Sequence, residues 1–207
     1  MNPRGRLPAT LLNAPQLRSK IIVEIGIDPY RSRDACFSPC RKYRYVLWRR
    51  FPAADGLDPD HLNPVVFIML NPSKADNKEN DTTMDRVESI TESWGYNSVL
   101  VCNLFAYIES KSDKLLKVND PFGPKNEEAI DWSINFARRF PQNTSTELKV
   151  VCAWGTKGHP HCRKIIDRLK EMDAELWCLG LNGDGSPRHP KPQGRKLTEK
   201  NFKLYFA

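Results

Sequence analysis

The sequence predicts an α/β fold, a three-layer αβα sandwich built on a central, mainly parallel sheet of four strands. Two observations support this prediction. Four short apolar runs, rich in β-branched residues, each end in a turn, and stretches with helical periodicity separate them along the chain. Such runs are typical of strands that are buried on both faces. Strands that alternate with helices form a parallel sheet through right-handed crossovers, which place helices on both faces.

The first apolar run, residues 65–70, reads VVFIML and ends in Asn71-Pro72-Ser73. Its length and its bounding prolines predict a central strand. In an open α/β sheet, ligands bind just beyond the carboxyl ends of the strands. The polar turn is therefore a candidate site for chemistry. The alternative is that Asn-Pro-Ser is only a turn that starts a helix.

The segment before this run has a different pattern. Residues 43–50, YRYVLWRR, alternate aromatic and β-branched residues with arginines, which predicts a strand at the sheet edge with one face in water. Residues 1–40 are rich in proline and basic residues, and we expect an N-terminal arm or cap with a possible short strand at 21–27. Residues 41–207 are then predicted to form a single domain.

The rest of the chain continues the alternation of helices and strands. Asp81 or Thr82 is expected to cap a helix that runs to about Trp94. The second strand, 98–103, ends in Asn103. The later predicted elements are a helix at about 125–140, a strand at 148–154 closed by Gly155, a helix at 158–172, a strand at 175–181 and a short terminal helix at 198–206.

In a parallel sheet, these strand ends gather polar turns on one rim. Besides Asn71-Pro72-Ser73 and Asn103, the rim would carry Trp154-Gly155 and Arg188-His189-Pro190.

Size and charge limit the possible functions. The chain has 207 residues, which is enough for one domain, and a net charge of +7. A basic surplus permits an anionic partner, and nucleic acid is the commonest one for a soluble basic domain. No apolar run approaches the roughly 20 residues of a transmembrane helix, and the N-terminus is not a convincing signal peptide. We therefore expect a cytoplasmic location and no membrane partner.

The cysteines predict neither a disulfide framework nor a metal site. Three of the six lie in apolar strands, where a reduced cysteine behaves as a small core residue. Cys36 and Cys40 have a C-x3-C spacing, and the downstream partners of the right type are His159, His161 and Cys162. This is not a standard zinc spacing, so no metal and no cofactor is expected.

Four stretches of this chain, in order, resemble the motifs of the uracil-DNA glycosylase superfamily. They read FIMLNPS, VLVCNLF, VVCAWG and SPRHPKP. The resemblance is closer to one branch, the domain-of-unknown-function family numbered 1643. The stretches that carry it are MLNPS-x-AD, the D-x-T helix start, GY, NLFAY, D-P-x-GP-x-N, AWG and PRHP, over about residues 43–192.

The resemblance implies a set of catalytic residues. Asn71 would position the attacking water, as in the mismatch-type branch, and His189 would support the charge on the departing base. The Asn71 amide cannot take a proton as a carboxylate does. Asp76 or Asp81 could supply the carboxylate. For these two, the alternatives are a solvated loop and a helix cap, and the cap is the favoured interpretation of Asp81.

The resemblance also implies how base and DNA are bound. Asn103 would read the edge of a flipped base with its amide. The other substrate-binding candidates are Pro72, Ser73, Phe105, Tyr107 and Trp154. The DNA-binding candidates, suited to phosphates, are Lys74, Arg188, Lys191, Gln193 and Arg195.

The function that the resemblance implies is that of a DNA glycosylase. The chain departs from the superfamily pattern in two places. Residues 74–83 contain no aromatic on which a uracil would stack, and the last loop has no leucine after the His-Pro motif. We therefore expect a modified pyrimidine, such as those in phage DNA, as the substrate of a monomeric, monofunctional enzyme in defence or repair. The alternatives are a non-catalytic nucleic-acid-binding module and an N-glycosyl hydrolase of free nucleosides or nucleotides.

Overall fold

The computed structural model describes residues 26–54, 61–73, 75–76, 78–140, 148–190 and 201–205. In these residues it is a mixed α/β fold with seven strands in one sheet. The strands are β1 Arg33–Phe37, β2 Arg44–Arg50, β3 Pro64–Met69, β4 Ser98–Asn103, β5 Leu148–Ala153, β6 Ala174–Cys178 and β7 Lys203–Leu204. The helices are α1 Thr82–Ser93, α2 Asn126–Ala137, α3 Gly155–Gly158 and α4 Arg163–Glu171.

The sheet is larger than the predicted one. Its order is β1-β2-β4-β3-β5-β6-β7. The four strands expected from the apolar runs are neighbours and run parallel. Strands β1, β2 and β7 add antiparallel pairings at the two edges. Residues 33–37, within the expected N-terminal arm, form β1, and residues 203–204 pair as β7, so the expected terminal helix was wrong there.

Helices pack on both faces of this sheet because side chains alternate along each buried strand. Val66 and Ile68 belong to the apolar cluster that includes α2 and α4. Val65 and Phe67 belong to the cluster that includes α1. Burying one such side chain fully contributes about 1.5–3 kcal/mol, so the central strands hold the two helical layers together. In the described residues, no helix has the length and apolarity needed to cross a membrane.

The expected water-exposed edge at β2 was wrong. This strand lies between β1 and β4, and all seven of its residues are buried. Arg44 donates to the carbonyl of Ala75, and Arg49 donates to the carbonyl of Asp76 at 2.5 Å and to Asn80 Oδ1 at 2.7 Å. Burial lowers the pKa of both arginines to about 10. The buried charges are tolerated because carbonyl groups accept hydrogen bonds from both guanidinium groups and Glu88 pairs with Arg49 at 3.5 Å. The loop after β3 is thereby fastened to the sheet.

Candidate active site

A cleft of about 840 Å³ lies at the carboxyl ends of β3 and β5. Its walls come from the turn after β3, the first turns of α1, the loop after β4, the start of α3 and the loop after β6. These segments meet because parallel strands direct their carboxyl ends to the same rim of the sheet. Asn71, Ser73, Trp154-Gly155 and Arg188-His189 of the sequence-predicted rim line this one cleft, whereas Pro72 and Asn103 are not among its described lining residues.

Asn71 lines this cleft, and two hydrogen bonds from its side-chain amide fix its position. Its Nδ2 donates to the carbonyl of Pro72 at 3.0 Å and to the carbonyl of Glu109 at 2.5 Å. The loop returns the contact, since the Glu109 N–H donates to the Pro72 carbonyl at 3.3 Å. Two carbonyl groups require the nitrogen side of the amide, so its orientation is set and Oδ1 remains as an acceptor.

The two aspartates that follow Asn71 shape the local backbone and are not among the residues that line the cleft. Asp81 caps α1, accepting from the N–H groups of Thr83 and Met84 and from the Ser73 hydroxyl. Burial alone would raise the pKa of Asp81, but these hydrogen bonds more than offset it and hold the pKa below its ordinary value. Asp76 accepts from two backbone N–H groups of its own loop, which lower its pKa. Ser73 itself lines the cleft.

Asn103 sits at the end of β4, in register with Met69 of β3. Met69 lines the cleft, and Asn103 lies beside it with only 1% of its surface exposed. Neither Nδ2 nor Oδ1 of Asn103 has a hydrogen-bond partner in the described part of the chain. Its backbone carbonyl accepts from Asn126 Nδ2 at 2.9 Å, which anchors the strand end to α2. A buried amide without partners costs free energy, so this side chain needs an explanation.

The end of β5 forms the next wall. Trp154 lines the cleft and is 1% exposed. A Cβ at Gly158 would lie 2.6 Å from the Trp154 Cβ, so only glycine lets α3 turn so close to the ring. Gly155 has a φ of +70°, in the region that favours glycine, and its N–H donates to the Pro187 carbonyl at 2.9 Å. That bond joins the end of β5 to the loop that carries His189.

The loop after β6 is a compact turn closed by a bridge between Leu181 and Pro187. Ser186 is fully buried inside it, and its hydroxyl donates to Asp184 Oδ1 at 2.6 Å. The Arg188 N–H donates to the Gly180 carbonyl at 2.9 Å. These bonds place the half-buried side chains of Arg188 and His189 on the cleft wall.

Two of the predicted substrate-binding rings lie elsewhere. Phe105 is 2% exposed and packs against Phe122 and His161, with ring centroids 5.0 and 5.2 Å apart. Tyr107 packs edge-on against Tyr43 at 5.6 Å. Neither ring is among the described residues that line the cleft. The candidates Lys74, Lys191, Gln193 and Arg195 lie outside the described residues.

Several cleft residues carry no signal in the sequence. Arg86 projects from α1, Lys157 from α3, and Glu109 from the irregular loop after β4. A helix pattern could have placed Arg86 one turn after the Asp81 cap, but only the folded chain brings Glu109 to Asn71. Lys157 pairs with Asp113 at the cleft mouth. With Arg188, the described lining carries more positive than negative charge.

No group of three or more His, Cys, Asp or Glu side chains in the described part of the chain is placed to hold a metal ion. The six cysteines are free thiols. Burial raises the pKa of the thiols at Cys102, Cys152 and Cys178, which suits them to the apolar core. The described lining of the cleft offers amides, hydroxyls, an imidazole, guanidinium and ammonium groups and one carboxylate.

Comparison with known proteins identifies the family. A family model described as "Protein of unknown function (DUF1643)" matches residues 44–191. Those residues include the turn after β3, the end of β5 and the Arg188-His189 pair. Searches of curated proteins and of solved structures each found no match. Because the family model covers well over half of its length, the chain belongs to the DUF1643 family.

Proposed function

We propose that the protein is a monofunctional DNA glycosylase that flips a modified pyrimidine out of the duplex and hydrolyses its N-glycosidic bond. The observation that carries the proposal is the convergence of Asn71, Trp154-Gly155 and Arg188-His189 on one cleft. At the adjoining strand end, the Asn103 amide has no partner among the residues that the structure describes. These are the four stretches that resemble the uracil-DNA glycosylase superfamily. A three-layer sandwich of that type, extended at both sheet edges, is the fold that the proposal implies.

The chemistry at the cleft suits bond cleavage at a sugar carbon. As the C1′–N bond breaks, the sugar becomes cation-like and the base leaves as an anion. Asn71 has its nitrogen tied to two carbonyl groups, so its Oδ1 can hold a water against the sugar. His189 is far from Asn71 in the sequence but lines the same cleft. An imidazole N–H can donate a hydrogen bond to the departing base.

Asn103 is suited to reading the base. Its amide offers an acceptor and donors side by side, which matches the edge of a pyrimidine. The amide is buried and has no partner among the described residues, so a base that reached it would supply the hydrogen bonds that those residues do not. A site of this kind discriminates strongly against ligands that lack the matching edge.

Two features favour a modified base over plain uracil. The volume of about 840 Å³ lies toward the upper part of the range for sites that enclose drug-sized ligands, which leaves room for a substituent on the ring. The described lining has no aromatic from the stretch that follows Asn71. The proposal includes action as a monomer on cytoplasmic DNA, in defence against phage or in repair.

Excision assays test the proposal directly. Duplex oligonucleotides carrying uracil, 5-hydroxymethyluracil or 5-hydroxymethylcytosine are incubated with the protein and treated with alkali, which cleaves at abasic sites. Released bases are identified by mass spectrometry. We expect excision of at least one modified base, and at least a 100-fold loss of rate in Asn71→Ala, because water positioning by one group is worth that much.

The alternatives give different results in the same assay. Salt-sensitive DNA binding that Asn71→Ala leaves unchanged, with no abasic sites on any substrate, would indicate a non-catalytic binding module. Base release from free nucleosides or nucleotides, without release from DNA, would indicate a hydrolase of monomers. Either result would refute the glycosylase.

A further inference from the structure

Glu109 is the one carboxylate among the described residues that line the cleft. It is half-buried, and it follows β4 by only a few residues of irregular loop. The other charged or titratable groups on the described walls are Arg86 from α1, Lys157 from α3, and Arg188 and His189 from the loop after β6. Glu109 is therefore the one described group on these walls that can accept a proton as a carboxylate.

The backbone of Glu109 is in direct contact with Asn71. Its carbonyl accepts from Asn71 Nδ2 at 2.5 Å, and its N–H donates to the Pro72 carbonyl. The carboxylate is oriented as well, since Oε1 accepts from the Lys111 N–H at 2.8 Å. In the described part of the chain, no hydrogen bond is made to Oε2. Two neighbouring residues thus offer a fixed amide oxygen and a fixed carboxylate to one cleft.

An amide can orient a water but cannot take its proton. Attack of the water oxygen on C1′ forms a C–O bond while the C1′–N bond breaks. The electron pair of the C1′–N bond leaves with the base. The water must lose one proton, and the base anion must gain one from His189 or from solvent. Neither Asp76 nor Asp81 is among the described residues that line the cleft. Glu109 is the remaining described carboxylate that can do this.

We propose that Glu109 is the general base of the reaction, taking the proton from the water that Asn71 orients. The inference rests on the proposed function and adds the residue that the Asn-Pro turn lacks. It also explains why the loop after β4 is tied to that turn by one bond from the Asn71 side-chain amide and one backbone–backbone hydrogen bond.

The test is the single-turnover rate of Glu109→Gln on whichever of the three base-modified duplexes the wild-type protein cleaves. Glutamine keeps an oxygen for the Lys111 N–H and the whole backbone contact with Asn71, and it removes only the negative charge and basicity. We expect a rate loss of at least 100-fold with DNA affinity within about threefold of the wild type. Glu92→Gln is the control, because Glu92 is exposed on α1 and lies away from the cleft.

Two further readouts separate a base from a structural group. The rate of the wild-type protein should fall in acid, and that acid limb should disappear in Glu109→Gln. Glu109→Ala should regain activity when formate is added, because a free carboxylate can occupy the space that the side chain leaves.

The outcomes distinguish this inference from the function on which it rests. If Asn71→Ala loses activity while Glu109→Gln keeps the wild-type rate and pH profile, Glu109 is not the base and the glycosylase assignment stands. If Glu109→Gln is slow but its acid limb remains and formate does not rescue Glu109→Ala, the role is structural and the inference fails. If the wild-type protein excises no base at all, the proposed function fails and the inference fails with it.

Discussion

At the end of β4, the Asn103 side chain is buried with neither its nitrogen nor its oxygen hydrogen-bonded in the described residues. Leaving a buried donor or acceptor without a hydrogen bond costs about 1–3 kcal/mol. Nearby, Asn126 is equally buried, but its Nδ2 donates to the carbonyls of Asn103 and Leu104 at 2.9 and 3.1 Å. Two asparagines of similar burial therefore differ in what they contribute. Asn126 leaves only Oδ1 without a partner in the described residues and ties two strand-end carbonyls to α2, whereas Asn103 leaves both polar atoms without one.

This contrast predicts opposite effects of the same substitution. Asn103→Leu removes two unsatisfied groups, and we expect it to raise the free energy of unfolding by about 1 kcal/mol while abolishing base excision. Asn126→Leu breaks two hydrogen bonds to strand-end carbonyls, and we expect a loss of about 1–3 kcal/mol. Urea denaturation measures both. If Asn103→Leu destabilises as much as Asn126→Leu, the Asn103 amide has an internal partner and its base-reading role loses its basis.

The candidate residues that could be predicted from the sequence are those next to strong local signals. Asn71, Asn103, Trp154 and His189 each follow a strand or lie in the loop after one, so their common rim follows from parallel topology. Glu109 could not be found in this way. It lies 38 residues from Asn71 in an irregular loop, and the pairing depends on how that loop closes over the turn.

At the scale of elements, α1 and β2 show which local rules hold and which fail. The start of α1 was predictable because an aspartate before Thr82 is a strong cap, and its side chain accepts from two N–H groups of the first turn. The burial of β2 was not, because alternating arginines are ordinarily read as a solvated face. Their burial depends on the carbonyl groups of Ala75, Asp76 and Glu79, in a loop distant in sequence.

The Asp81 cap carries a pH-dependent contribution to stability. The folded pKa of Asp81 lies below its ordinary value near 3.8. A lowered folded pKa means that the stabilisation is complete above the unfolded pKa and is lost as the pH falls through the folded one. We expect Asp81→Ala to lower the free energy of unfolding by about 1 kcal/mol at pH 7, and the difference from the wild type to shrink below pH 4.

Glu92→Ala is the matched control for that measurement. It removes an exposed carboxylate from the other end of α1 and should change stability by no more than about 0.5 kcal/mol at any pH. Urea titrations of the three proteins between pH 3 and pH 7 give the comparison. A pH-independent loss in Asp81→Ala would mean that its carboxylate charge does not contribute to the cap.

At the scale of the whole molecule, the sheet contains more strands than the apolar runs indicate. The four parallel strands were predictable because each is a continuous apolar run, whereas β1 and β7 are short and carry mixed or polar residues. The net charge of +7 permits a polyanion to bind but does not say where. The cleft is the place that we propose, since Arg86, Lys157 and Arg188 line it.

That charge distribution predicts a salt dependence specific to the cleft. We expect duplex binding to weaken steeply with salt, because each phosphate contact releases a counterion and contributes about −0.9 to the slope of log K against log salt. Arg188→Ala removes a guanidinium from the cleft wall while its backbone N–H still bonds the Gly180 carbonyl. The slope should become shallower by about 0.9 if Arg188 contacts one phosphate. Binding is measured in an Asn71→Ala background, which prevents turnover.

Arg163→Ala is the comparison, because it changes the net charge by the same amount as Arg188→Ala. Arg163 is exposed on α4, pairs with Asp167 and does not line the cleft. A general electrostatic attraction would respond to both substitutions equally, since each removes one positive charge from the molecule. A bound duplex whose backbone tracks the cleft responds to Arg188→Ala alone. Equal slopes for the two variants would therefore place the DNA away from the cleft and separate DNA binding from the Asn71 site.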